Sequence, residues 1–373
     1  MDILKLLTIY VQRKEVVMIN RVQELTKRMY ALSMDGILIS SEYNRHYLSG
    51  FTGSSGYLFI TDQARYLLTD FRYIEQATAE SPDFKVVNYF EKGLVETISD
   101  LVSDTRITNL GYEDTTITVK EFNHLSSSID QCNWSAVGNM VEQIRMIKDH
   151  DEIQKIRHAA SIGDAAFLHI LDRIKPGMRE IDVAVELEYF MKKQGASKLS
   201  FDTIIASGKR SSLPHAQPTE KLIEKGDFVT MDFGCIYEGY CSDMTRTIVV
   251  GQANERQKDL YSLVLKAQMK ALNNIKAGIL GKDGDALARQ IIDDAGYRVN
   301  FGHGLGHSLG LEVHEQPRFS LLSEEIILPG MVMSVEPGVY IPDFGGVRIE
   351  DLVLIKEDGI ENFVSSRKEL IEL

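Results

Sequence analysis

Acids that stand alone inside apolar, β-prone runs limit most severely how this chain can fold. Asp232 sits between Met231 and Phe233, and Glu336 between Val335 and Pro337. Each has a second acid beyond a turn-like segment: Asp243 follows Tyr237-Glu238-Gly239, and Glu350 follows Pro342-Asp343-Phe344-Gly345-Gly346. Both stretches read as β-hairpins. A loop at Tyr237-Glu238 sets Asp232 opposite Asp243 on one side of the first hairpin, and a bulge at Gly239 would slip that register by one residue. In the second, Glu336 and Glu350 are equally distant from Asp343. An acid beside a hairpin is ordinarily a solvated surface charge. These acids lie among apolar neighbours that call for burial, where ionised side chains persist only when paired or bound to metal. Four carboxylates converging from two hairpins therefore read as a site for two divalent cations.

A nitrogen ligand is at hand in Phe301-Gly302-His303-Gly304-Leu305-Gly306-His307, where the glycines allow close backbone approach. His307 completes the ligand set Asp232, Asp243, His307, Glu336 and Glu350, and His303 is left for substrate or supporting work. The same glycines do not make a phosphate cradle, because no Walker lysine follows and no ribose-binding acid stands at the required offset.

The 373 residues are enough for two domains, and 44% hydrophobic with 25% charged content is that of an ordinary globular protein. The charge balance, 41 basic against 54 acidic residues for a net −13, and the lack of a Lys/Arg block exclude nucleic acid as a partner. No apolar run approaches the ~20 residues that span a bilayer. Three cysteines, Cys132, Cys235 and Cys241, make no disulfide framework and fit a reducing cytoplasm. Cys235 and Cys241 read as small buried hydrophobes, with a bridge across the first hairpin as the other reading. Residues 1–17 lack a basic start and a cleavage site, so they read as a tail or an upstream start rather than a signal peptide, and Met18 opens an amphipathic helix.

Residues 18–140 alternate in pattern: 21–34 helical, 36–39, 56–60 and 65–68 extended, 73–79 helical, 84–87 extended, 93–102 helical, 109–112 extended and 119–127 helical. That is an α/β domain with its own sheet. The remainder, 141–373, carries an internal echo. Ile174-Lys175-Pro176-Gly177 precedes a helical stretch and Gly195, and Ile275-Lys276-Ala277-Gly278 precedes another and Gly296. A duplicated half with one carboxylate hairpin each would set the site on a pseudo-twofold axis, and chance likeness of two short turns is the competing explanation.

The Asp232–Asp243 hairpin, the loop from His303 to His307, Val313-His314-Glu315, Val335-Glu336-Pro337-Gly338 and Val347-Arg348-Ile349-Glu350-Asp351 resemble, in this order, the motifs of the aminopeptidase P, prolidase and methionine aminopeptidase superfamily of metallopeptidases. The resemblance covers residues 20–373 and fills all five ligand positions of the family. It implies an α/β (α+β) fold in which an N-terminal creatinase-like capping domain, residues 18–140, precedes a pseudo-twofold pita-bread catalytic domain, residues 141–373. The N-terminal domain separates the chain from methionine aminopeptidases and is similar to the one that caps the site and helps build homodimers in proline-specific members. The implied activity is that of a Xaa-Pro aminopeptidase. A Xaa-Pro dipeptidase (prolidase) is the close alternative, and a metal-free binding paralogue the remote one.

By the same resemblance, two divalent ions about 3.5 Å apart would share Asp243 and Glu350, with Asp232 completing one and His307 and Glu336 the other. A bridging hydroxide would attack the carbonyl of the bond before proline. Mixed oxygen and nitrogen ligands suit Mn²⁺, with Co²⁺ or Zn²⁺ open. His215, His303, His314 and Arg348 are implied as the shell around substrate and transition state, and Glu336 as the proton carrier to the departing nitrogen. Arg72 resembles a position from which the cap reaches substrate, and a helix-start salt bridge is the other reading.

Overall fold

The computed structural model of the protein describes residues 21–373. The expected tail over residues 1–17 and the helix start at Met18 lie outside the described residues. The chain divides into two compact units between Arg145 and Met146.

In the first unit the elements run α1 (Arg21–Ala31), β1 (Gly36–Ile39), α2 (Glu42–Ser49), β2 (Tyr57–Thr61), β3 (Arg65–Thr69), α3 (Ile74–Glu80), β4 (Lys85–Asn88), α4 (Leu94–Thr105), β5 (Asn109–Tyr112), α5 (Val119–Ser128), β6 (Asn133–Ala136) and α6 (Met140–Arg145). The strands form one mixed sheet in the order β4-β3-β2-β1-β5-β6. Apolar spacing explains the helices: Val22, Leu25 and Met29 line the buried face of α1, as Ile98, Leu101 and Val102 do in α4. The short apolar strands bury Leu38, Phe59, Leu68 and Leu110 against α4 and α5.

Three elements of the first unit, α2, β6 and α6, are absent from the sequence-based expectation. The buried face of α2 includes Asn44 and Arg45, so no apolar period marks it. Tertiary partners hold it instead. Arg45 donates to the carbonyls of Gly53 and Gly56, each at 2.6 Å, and Asn44 Nδ2 donates to the buried Glu113 at 2.6 Å.

The second unit holds α7 (His150–Leu171), α8 (Glu180–Lys193), β7 (Lys198–Leu199), β8 (Ile204–Ser207), β9 (Phe228–Phe233), β10 (Cys235–Tyr237), β11 (Tyr240–Cys241), β12 (Met244–Val249), α9 (Glu255–Leu272), α10 (Gly281–Asp294), β13 (Gly306–Ser308), β14 (Glu315–Phe319), β15 (Val332–Val335), β16 (Gly338–Ile341), β17 (Gly345–Arg348), β18 (Asp351–Lys356) and β19 (Gly359–Asn362). The sequence echo is a structural repeat. Each half has a long capped helix, a second helix and a sheet with an acid in or just after its central strand, β12-β9-β8 in one half and β18-β15-β13 within a five-stranded sheet in the other. Matched backbone bonds tie the halves to one plan. Gly177 N donates to Ile223 O and Gly278 N to Ile327 O, both at 2.8 Å. Gly177 and Gly278 sit at φ of 90° and 89°, a conformation that explains why both turns need glycine.

The first carboxylate hairpin corrects the expected register. Tyr237 pairs with Tyr240 and Ile236 with Cys241, so the loop is Glu238-Gly239 and Asp232 stands opposite Thr245, not Asp243. A two-residue turn of this kind needs φ > 0 at both central positions, which Glu238 and Gly239 supply at 46° and 88° and which would strain Tyr237. The displacement is two residues, and a two-residue slip keeps every side chain on its face, so Asp232 and Asp243 remain diagonal neighbours on one side. Cys235 and Cys241 are buried free thiols and are not cross-strand partners. In the second hairpin Gly338 pairs with Arg348 and Val335 with Asp351, the register that sets Glu336 opposite Glu350.

Glu180, at the start of α8 and fully buried, accepts from Ser207 N and Oγ, from Thr219 N and Oγ, and from Arg210 Nε. It closes the loop that carries His215. Replacing it with Ala leaves these buried donors unpaired, and urea titration is expected to show a loss of about 3–5 kcal/mol. A loss below about 1 kcal/mol would show the loop to be held by its own turns.

Candidate metal centre

Strand pairing brings the expected ligands together within or at the ends of neighbouring strands. Asp232 lies within β9, Asp243 immediately before β12, Glu336 immediately after β15, Glu350 immediately before β18, and His307 in the middle of β13. Asp243, His307 and Glu350 each offer a ligand atom within 4.8 Å of the others. Glu336 Oε1 lies 3.4 Å and Asp243 Oδ2 3.7 Å from His307 Nε2.

Their hydrogen bonds leave one oxygen of most acids free. Thr245 Oγ1 donates to Glu350 Oε2 at 2.7 Å, Ser334 Oγ to Glu336 Oε1 at 3.0 Å, and Arg348 Nη2 to Asp232 Oδ2. Asp232 Oδ1, Asp243 Oδ1 and Glu350 Oε1 are buried and have no hydrogen-bond partner among the described residues. His307 Nδ1 lies 3.1 Å from the Ser308 carbonyl, which can only accept, so this nitrogen carries the proton and Nε2 turns a lone pair toward the carboxylates. Lone pairs facing lone pairs in a buried space fit a bound cation, and an oxygen-rich set with one imidazole fits a divalent one.

The electrostatics agree. Burial, then Glu350 and Asp232, hold the Asp243 carboxyl well above the usual carboxylate range. Burial, then Glu336 and Asp232, do the same to Glu350. Glu336 is pushed up to about 7, chiefly by burial. Burial, then the neighbouring His314, brings His307 down to about 4, which keeps it neutral and able to ligate.

The other expected site residues gather around these five. Arg348 is buried and also donates from Nη1 to Tyr340 Oη at 2.7 Å, and Tyr340 Oη lies 3.0 Å from His303 Nε2. Burial, then Arg348, takes His303 down to about 4. His314 is exposed, with its ring edge-on to His307 at 4.5 Å. His215 is exposed on its loop. Arg72 belongs to the first unit, where it pairs with Asp70 at 2.7 Å and keeps 58% of its side chain exposed.

Sequence reasoning missed four participants: Tyr340, Thr245, Ser334 and Arg318. Tyr340 had a signal, for it shares a strand face with Glu336, and a Cβ on Gly338 would collide with its hydroxyl. Thr245 and Ser334 look like ordinary strand residues until the hairpins pair. Arg318 stands directly across from His307 between β14 and β13, on the same face of the sheet.

The raised carboxyls set a pH dependence. Glu336 holds its proton up to about 7 in the metal-free fold, whereas an unfolded chain releases it near the ordinary value of 4.5. The metal-free protein therefore loses stability as pH rises through that window. Cations must displace those protons, so their stabilisation grows as pH rises. Thermal unfolding with EDTA and with excess Mn²⁺ is expected to show a wider gap in midpoint at pH 8 than at pH 5.5. An equal or narrower gap at pH 8 would contradict the assignment of these acids.

A family model described as metallopeptidase family M24 matches residues 154–357, and one described as the creatinase/prolidase N-terminal domain matches residues 21–147. The chain is 40% identical over 360 residues to a Xaa-Pro dipeptidase of Pyrococcus horikoshii, covering 95% of this chain and 99% of that protein. It superposes on the structure of a Xaa-Pro dipeptidase from Bacillus anthracis with a TM-score of 0.92 at 44% identity, covering 95% of this chain and 99% of that one. For an X-Pro aminopeptidase from Thermotoga maritima the TM-score is 0.88 at 38% identity, with 94% and 99% covered. With its carboxylate hairpins, imidazole loop and creatinase-like first unit, the chain belongs to the M24 metallopeptidases of the Xaa-Pro dipeptidase and aminopeptidase type.

Proposed function

We propose that this enzyme hydrolyses the peptide bond before proline and prefers Xaa-Pro dipeptides to longer peptides. Arg318 carries that preference. It is exposed beside His307, and no described residue gives its guanidinium an ion-pair or hydrogen-bond partner. Such a group recruits a carboxylate. A dipeptide presents its free carboxylate one residue beyond the scissile bond, and a longer peptide presents a neutral amide there. The dipeptidase names of the relatives from Pyrococcus and Bacillus support this order. The aminopeptidase reading, first on sequence grounds, is supported by the likeness to the Thermotoga enzyme.

Asp232, Asp243, His307, Glu336 and Glu350 would hold two divalent ions, with Mn²⁺ best suited to the donors. When bound, they supply Lewis-acid polarisation of the substrate carbonyl and make water a stronger acid. The side chains do the rest. Glu336 takes a proton from the attacking water and passes it to the proline nitrogen as the C–N bond breaks and the C–O bond forms. His314 and His215 donate hydrogen bonds to the carbonyl oxygen as charge develops on it. Arg348 spans Asp232 and Tyr340 and so fixes the acid and His303 together. The buried free thiols Cys235 and Cys241 suit a reducing cytoplasm, and the exposed edge-to-face pair Phe71–Phe90 suits a homodimer contact.

The test compares Ala-Pro with Ala-Pro-Ala on Mn²⁺-loaded protein. The dipeptide is expected to be cleaved faster, and Arg318→Leu to raise its KM about ten- to a hundredfold, the worth of a hydrogen bond to a charged group, with little effect on the tripeptide. Faster cleavage of the tripeptide would turn the assignment to an aminopeptidase. Cleavage of neither would remove the Xaa-Pro specificity altogether.

A further inference from the structure

Residues 301–305 carry His303 but belong to no helix or strand. With Gly302 and Gly304 on either side of the imidazole, the local sequence does little to hold it still. The restraint comes from α10. Arg289 Nη1 donates to the Phe301 carbonyl at 2.9 Å and Nη2 to the His303 carbonyl at 2.6 Å, while its guanidinium lies 4.1 Å from the centroid of the Phe301 ring. Asp285, one turn earlier and fully buried, takes Nε and Nη2 of Arg289 in a forked pair. Its Oδ1 also accepts from Leu305 N at 2.9 Å. Both ends of the loop thus hang from one carboxylate–guanidinium unit.

That unit reaches further. The Leu305 carbonyl accepts from Glu336 N at 2.8 Å, so the backbone of Glu336 is tied to the same anchor. An exposed i,i+4 ion pair adds little to a helix. This pair is largely buried and makes three hydrogen bonds to the backbone of another segment. A buried ion pair is often replaceable by apolar residues without loss of stability, but apolar residues cannot grip two carbonyls and an N–H.

We infer that Asp285 and Arg289 are positioning residues for the reaction, setting His303 against Tyr340 and Glu336 against His307 from outside the site. The inference rests on the Xaa-Pro hydrolase reading only for its kinetic readout. Arg289→Lys keeps the charge but loses the fork, and the double variant Asp285→Leu/Arg289→Met keeps core volume without the polar grip. Each is measured for kcat and KM on Ala-Pro, for Mn²⁺ affinity by calorimetry, for folded fraction by near-ultraviolet circular dichroism, and for amide exchange in the metal-free protein.

Expected are a kcat lower by roughly ten- to a hundredfold, as for other groups that orient a ligand from outside, with KM little changed, weaker Mn²⁺ binding, and faster exchange confined to residues 302–306. Rescue by Lys is not expected. Wild-type kcat, or a loss of kcat that only follows the folded fraction, would overturn the inference. So would unchanged exchange over residues 302–306, a result that decides the matter even if the wild-type enzyme cleaves no Xaa-Pro peptide.

Discussion

Repulsion among acids brought close together in a buried space governs the architecture of the second unit. Asp243, His307 and Glu350 converge within 4.8 Å, and three carboxylate oxygens of the cluster have no hydrogen-bond partner among the described residues. In water such groups would separate. Here the strands that carry them are paired too firmly for that, so the charge must be met by protons or by cations. The surrounding hydroxyls and Arg348 respond to the same need. Thr245 and Arg348 each occupy one oxygen of an acid, Glu350 and Asp232, and leave its other oxygen to face the centre.

The repeat solves the geometric half of that problem. Each half sends one acid from within or just after its central strand and another from just before the strand beside it, so two copies of one hairpin device supply four carboxylates. The copies are not identical. Asp232 meets Asp243 on a diagonal, while Glu336 and Glu350 stand in direct register. Close backbone approach makes both possible: a side chain at Gly234 would collide with the Ser242 carbonyl, and one at Gly306 with that of Ser334. His307 comes from one half alone and makes the site asymmetric, with nitrogen on the side of Glu336 and the Arg348 contact on the side of Asp232.

Much of this was legible beforehand because it is local. The alternation of helix and strand in the first unit follows apolar spacing, and the turn glycines Gly177 and Gly278 mark the repeat. What escaped is held by distant partners. Helix α2 buries Asn44 and Arg45, which only Glu113 and the carbonyls of residues 53 and 56 satisfy. The register of the first hairpin turned on which two residues tolerate φ > 0, a choice between overlapping dipeptides that hydrophobic patterning alone does not make. The displacement proved harmless to the site because it was even.

The amino-acid sequence by itself determined which acids and which imidazole are available, that they lie in or beside strands, and that apolar neighbours draw them inward, since all of this is set by residue type and by a period of two. Only the tertiary structure decided their company. Thr245, Ser334, Tyr340 and Arg318 lie 105, 2, 4 and 11 positions in sequence from Glu350, Glu336, Glu336 and His307 respectively. Strand pairing and side-chain folding turn those separations into contact or adjacency, and side chains such as these decide which oxygens and nitrogens remain open to the centre. Pattern reports the face on which a residue sits; the free energy of a buried charge depends on what else reaches that face.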